Sequence, residues 1–104
     1  MNASTGFSCF RDFYPYYLGE HQNRTCRRLH VIGSAGVLLI LGLVLFQVVS
    51  PWWLLALPVC GYGFAWVGHF FFEHNKPATF RHPLYSLMGD WVMFKDVLTG
   101  RIPF

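Results

Sequence analysis

The sequence predicts an all-α membrane protein, a two-span helical hairpin with flanking interfacial amphipathic helices. Three observations carry that reading. The stretch from Val31 to Phe72 contains no Asp, Glu, Lys or Arg, and roughly twenty apolar residues cross a bilayer as a helix, so it holds two spans. Ser50-Pro51 interrupts it near the middle; proline suits the first turn of a new helix and disfavours helix in the residue before it. Basic residues lie on both flanks, Arg24, Arg27 and Arg28 before the first span and Lys76 and Arg81 after the second, with none in the turn.

Composition agrees. Of 104 residues, 54% are hydrophobic, 19% aromatic and only 12% charged, against about 25% charged in soluble domains. A soluble chain this short buries too little of its area to hide so much apolar surface. One membrane domain over 1–104 is expected, with spans at about 31–50 and 52–72. The net charge of +3 is small and scattered, which excludes a nucleic-acid partner and suits contact with membrane lipid. Cys9, Cys26 and Cys60 form no CxxC pair, so neither a disulfide framework nor a zinc site is indicated. Glycosylation-type triplets at Asn2 and Asn23 are too short to carry weight, and no signal peptide is expected ahead of the spans.

Along the chain, Phe7–Leu18 is rich in Phe and Tyr and reads as interfacial, with Pro15 preventing one uninterrupted helix. Trp52 and Trp53 open the second span where aromatic side chains favour the interface. Residues 84–99 carry apolar side chains at Leu84, Leu87, Met88, Trp91 and Leu98 in a helical rhythm. Ser86, Asp90 and Asp96 fall off that stripe, so a helix lying on the membrane with these three exposed is expected. Gly89 weakens this helix and Gly100 suits its end. The flanking charges put both termini on the cytoplasmic side of a bacterial inner membrane or endoplasmic reticulum.

Chemistry concentrates at the charged end. His30 opens the first span and His69 closes the second, at similar distances from the turn, so a hairpin returns them to nearly one depth. Gly61, Ala65, His69 and Glu73 share one helix face, and small residues on such a face let two membrane helices approach closely. A helix start near Asn23 or Thr25 frees His21 to fold back toward His30. Two or three histidines with a carboxylate suit a transition metal, and non-haem Fe(II) in particular when positions remain open. Taken singly, each histidine is explained as a packing or interface residue, Glu73 as a helix-end group paired with Lys76, and His74 and His82 as headgroup contacts. Convergence is what favours metal.

The strings YYLGEHQNRTCRRLH, GYGFAWVGHFFFEHNKPATF and PLYSLMGDWVMFKDVLTGR resemble the small Mpo-like membrane family, long described as a domain of unknown function. The resemblance runs from about Phe13 to Arg101. Its most specific elements are His21, Asn23 and His30, and the block Gly68, His69, Glu73, Lys76, Pro77, Ala78. It implies an Fe(II)-dependent dioxygenase that shortens long-chain 2-hydroxy fatty acids by one carbon with O2, as the characterised eukaryotic member does in the endoplasmic reticulum while degrading phytosphingosine. It also implies His21, His30 and His69 as metal ligands, and Glu73 as a further ligand or a catalytic partner of the metal. Arg27 or Arg28 is a candidate for the substrate carboxylate through paired hydrogen bonds. The rival readings are a non-catalytic hairpin that binds lipid or protein, and a haem protein with His30 and His69 as axial ligands. A transporter would need a homo-oligomer, because one hairpin encloses no pathway.

Overall fold

A computed structural model describes residues 7–77 and 80–104. The Asn2 triplet and Ala78, the last residue of the second motif, lie outside the described residues. Among these residues the chain forms four α-helices and no strand: α1 (Phe10–Gly19), α2 (Arg24–Leu45), α3 (Ala56–Val67) and α4 (Pro83–Leu98). A 3₁₀ turn (Pro51–Leu55) leads into α3, and a π-helical turn (Gly68–Glu73) continues it.

The stretches Arg24–Leu45 and Pro51–Glu73, 22 and 23 residues, are both long and apolar enough to cross a membrane. Only 22% and 17% of their most apolar windows are buried. The core helix of a soluble protein would be mostly covered, whereas Leu39, Leu45, Val59 and Phe71 lie open on the outside. Lipid satisfies such side chains; water would charge roughly 1.5–3 kcal/mol for each large one left uncovered.

Both ends of α2 lie nearer the N-terminus than the apolar run suggests. It begins at Asn23, whose side-chain oxygen accepts from the N–H groups of Thr25 (2.9 Å) and Cys26 (3.2 Å), a cap worth about 1 kcal/mol. It stops at Leu45 because Gln47 turns left-handed (φ 61°). The N–H of Val48 then reaches the Leu43 carbonyl at 2.9 Å, and that of Gln47 reaches Val44 at 3.0 Å. Gly100 (φ 83°) closes α4 by the same geometry, with Arg101 N–H on the Asp96 carbonyl at 2.8 Å.

The expected face of the second span does meet α2: Ala65 and His69 are buried and Gly61 packs against Val37. The tightest point is Gly68. A Cβ there would stand 2.9 Å from Cys26 Sγ and 3.1 Å from Cys26 Cα. This backbone-to-backbone approach puts the end of the second span directly on the start of the first.

Two expectations fail. Pro15 does not interrupt α1 but sits inside it. The hydrogen bond it forfeits belongs to the Arg11 carbonyl, on the exposed side of the helix, while Phe13 and Tyr17 on the other side are fully buried. Loss of one outward-facing bond is offset by burial of two aromatic rings. The second failure is the orientation of α4. Ser86 and Asp96 are buried, Asp90 is half-buried, and Leu84, Leu87, Met88 and Leu98 are exposed. Polar side chains turn inward because α1 offers partners there: Tyr14 O–H donates to Asp96 Oδ2 at 2.8 Å and Tyr17 O–H donates to Asp90 Oδ1. Gly89 is the residue that permits this. A Cβ on it would stand 2.8 Å from the Tyr17 ring.

Replacing Gly68 by Ala should therefore lower the thermal midpoint in detergent, by the equivalent of about 1–3 kcal/mol, as overpacking against backbone does. Gly63→Ala, where nothing lies within 4 Å of the added Cβ, should leave it unchanged or raise it slightly.

Candidate metal centre

Three histidines from three separate segments meet at the charged end of the hairpin. His21 lies just after α1, where its N–H bonds the Leu18 carbonyl at 3.0 Å and its ring stacks on Tyr17 with centroids 4.0 Å apart. His30 lies on the buried face of α2, and His69 on the π-helical turn after α3. A π-helical turn widens the helix locally and recurs at functional sites; here it ends at His74 in the left-handed region (φ 58°) and Asn75 N–H bonds back to the His69 carbonyl at 3.0 Å. All three imidazoles are buried. Their centroids are 4.4, 4.5 and 4.9 Å apart, with ring planes crossed at 84°, 77° and 87°.

The hydrogen bonds settle which nitrogen of each ring carries the proton. His21 Nδ1 lies 2.6 Å from the Tyr17 carbonyl and His30 Nδ1 lies 2.9 Å from the Cys26 carbonyl. A carbonyl only accepts, so both Nδ1 atoms must donate. His69 Nδ1 lies 2.7 Å from Asn75 Oδ1. The Asn75 amide is oriented by its Nδ2, which donates to the Glu20 carbonyl at 3.2 Å and to Glu20 Oε2 at 3.3 Å. Every Nδ1–H is thus committed to an acceptor outside the cluster, and His21 and His30 turn their Nε2 lone pairs toward each other.

Lone pairs that face each other repel. His21 Nε2 and His30 Nε2 are only 3.0 Å apart, and one ligand atom from each of the three rings falls within 4.8 Å of the others. A cation among them removes the repulsion. Two nitrogens each about 2.0–2.1 Å from one first-row ion stand about 3 Å apart at an angle near 90°, which the His21–His30 separation matches; His69 brings the third donor within 4.8 Å of both. Imidazole suits zinc, copper, iron and nickel. Burial, reinforced by the neighbouring His30 and His69, holds His21 well below the ordinary imidazole pKa, which keeps it in the neutral, ligating form. A buried group of three histidines that could hold a metal ion is therefore present.

The remaining sequence candidates take other places. Glu73 is outside the three-nitrogen group; its carboxylate accepts the Asn23 N–H, fastening the start of α2 to the end of the second span. Among the described residues it makes no ion pair with Lys76; the pair found there is Lys95–Asp96. Arg27 donates to the carbonyls of His21 (3.1 Å), Gln22 (2.8 Å) and Pro103 (3.4 Å). Arg28 donates to the main-chain oxygen of Phe104 at 3.0 Å and lies over its ring. His74 is exposed, and His82 packs against Phe7, Phe13 and Tyr16.

Tyr17, Asn75 and Asp90 are the side chains beside the histidine group and its cavity whose placement sequence reasoning missed. Asn75 had a signal, a polar residue just past the His69–Glu73 block. Asp90 had one as well: a glycine immediately before it, inside a helix, marks a close approach. Burial pushes the Asp90 carboxyl up to about 6, with the Tyr17 hydrogen bond working the other way. Between α2, α3 and α4 lies a cavity of about 290 Å³, walled by His30, Val37, Gly61, Leu87, Asp90 and Trp91 among others.

An all-helical fold with a buried three-histidine group at one end defines the class: a small helical protein with two helices long and apolar enough to cross a membrane and a candidate metal centre. The family model described as 2-hydroxy-palmitic acid dioxygenase Mpo1-like matches residues 7–102, and the chain belongs to that family. No curated protein and no solved structure matches it.

Changing His21, His30 or His69 to Ala should abolish stoichiometric metal in detergent-purified protein, read by elemental analysis, while the chain still inserts. Asn75→Ala removes the acceptor that orients His69 and should weaken metal binding about 10–100-fold. Glu73→Gln should keep the metal. Full occupancy in His69→Ala would overturn the assignment.

Proposed function

We propose that the chain is an Fe(II)-dependent dioxygenase that shortens long-chain 2-hydroxy fatty acids by one carbon. The observation that carries this reading is the continuity of the three-histidine group with an apolar cavity: His30 belongs to both. The family description supplies the substrate class. Ferrous iron, when bound, supplies the redox chemistry with O2 that protein side chains lack.

The chain's own residues do the rest. His21, His30 and His69 hold the ion as neutral donors, each aligned by its Nδ1–H bond. Val37, Leu57, Pro58 and Gly61 line the cavity and take the alkyl tail, a non-directional interaction that tolerates differences in length. Neither Arg27 nor Arg28 lines the cavity: Arg27 braces the segment that carries His21 and Arg28 holds Phe104, so a bound dication rather than an arginine would offset the acid's carboxylate. The cations at the histidine end and their absence from the turn support a cytoplasmic location of that end. Haem is disfavoured, because His21 Nε2 lies 3.0 Å from His30 Nε2 and occupies space a macrocycle would need beside an axial His30.

Protein loaded anaerobically with Fe(II) should consume O2 when given a long-chain 2-hydroxy acid and release the acid one carbon shorter, identified by mass spectrometry. The unhydroxylated and 3-hydroxy acids should react poorly. Iron-loaded protein that takes up no oxygen with any 2-hydroxy acid would rule this reading out and favour a lipid-binding hairpin. Tags at the two termini should both be accessible from the cytoplasmic face of sealed vesicles; accessibility from opposite faces would overturn the topology.

A further inference from the structure

We propose that Asp90 is the residue that selects a hydroxylated acid, its free carboxylate oxygen accepting the hydrogen bond of the substrate's 2-hydroxyl beside His30. This rests on the dioxygenase reading and extends it to the origin of its substrate preference.

Asp90 is the acidic side chain of the cavity that His30 also lines, and no Lys or Arg lines that cavity. It is held in place rather than mobile. Tyr17 O–H takes Oδ1, and the Tyr17 ring is itself fully buried, pressed on Gly89 and stacked on His21. One side chain thus ties Asp90 and a metal-binding histidine to common coordinates. Among the described residues, Asp90 Oδ2 has no donor. An acceptor in an apolar cavity gains from a ligand O–H and loses when a methylene replaces it.

Charge leads to the same ligand. Three neutral imidazoles leave the charge of a bound dication to be met by groups around them, and buried charge persists where it is paired. No Lys or Arg lines the cavity, so a monoanionic acid would find its counter-charge at the ion, with Asp90 beside it as the acceptor for a hydroxyl. A 2-hydroxy acid carries these two groups on adjacent carbons.

The test compares binding of radiolabelled 2-hydroxyhexadecanoic and hexadecanoic acids to detergent-purified protein loaded with Zn(II), a redox-inert stand-in that prevents turnover. Asp90→Asn keeps the size and the Tyr17 hydrogen bond. It should reduce the preference for the hydroxylated acid by about tenfold to a hundredfold, the usual effect of a hydrogen bond to a charged group. Metal content and thermal midpoint should not change. Tyr17→Phe, which leaves Asp90 unanchored, should reduce the preference in part. A wild-type preference that survives in Asp90→Asn overturns the role of Asp90 and leaves the dioxygenase reading standing. Metal loss in Asp90→Asn also overturns it, since Asp90 would then belong to the metal's own support. If the wild-type protein shows no preference between the two acids, the 2-hydroxy substrate itself falls, and the Asp90 role with it.

Discussion

A neutral imidazole has one N–H, and in this chain three of them spend it on acceptors outside their own cluster. The Tyr17 and Cys26 carbonyls and the Asn75 amide oxygen draw the protons outward, leaving the three rings free to offer one ligand atom each within 4.8 Å of the others. Much of the surrounding structure maintains that arrangement. Gly68 lies on Cys26 so that His69 can stand beside His30. The Glu73 carboxylate holds the Asn23 N–H, which keeps the start of α2 against the end of the second span. Arg27 grips the carbonyls of His21 and Gln22, closing the loop that returns His21 to the group. Without these constraints the rings would turn their lone pairs away from each other.

The membrane reverses the usual arrangement of an amphipathic helix on a protein surface. In water, α4 would bury Leu84, Leu87 and Leu98 and expose its aspartates. Here the apolar stripe is exposed and the aspartates are met by tyrosine hydroxyls from α1. Lipid is as good a partner for leucine as a protein core, but it offers nothing to a carboxylate, so the polar face is the one that gains by turning inward. The tyrosine-rich α1 therefore acts as a polar lid over α4. Through Tyr17 it connects that helix to His21, linking the only interfacial pair in the described fold to the metal group.

Much of this was legible in the chain. A charge-free run longer than one span, a proline near its middle and basic flanks specify two apolar helices, because lipid rewards apolar length and permits almost no other spanning structure. The convergence of His21, His30 and His69 was legible for a related reason: antiparallel spans of similar length return their ends to one depth, and Asn23 was one of two caps, with Thr25, that could start α2. Glu73 was legible only as a polar group near that site. Its spacing from His69 looks the same whether it faces a metal or a helix N-terminus.

Other features depend on partners far away in sequence, and local pattern contains no information about them. Periodicity identifies the apolar face of α4 but cannot say whether protein or lipid covers it, and the reading of Asp90 and Asp96 as exposed failed on that ambiguity. Pro15 continues a helix because its unmet carbonyl faces outward, which no local rule foresees. Composition and hydropathy determined the two apolar helices, their approximate lengths and the end of the hairpin where histidines gather. The tertiary structure alone decided which nitrogen of each ring is protonated, which carboxylate faces the cavity and which merely caps a helix, because each of these is settled by a hydrogen bond between residues that only folding brings together.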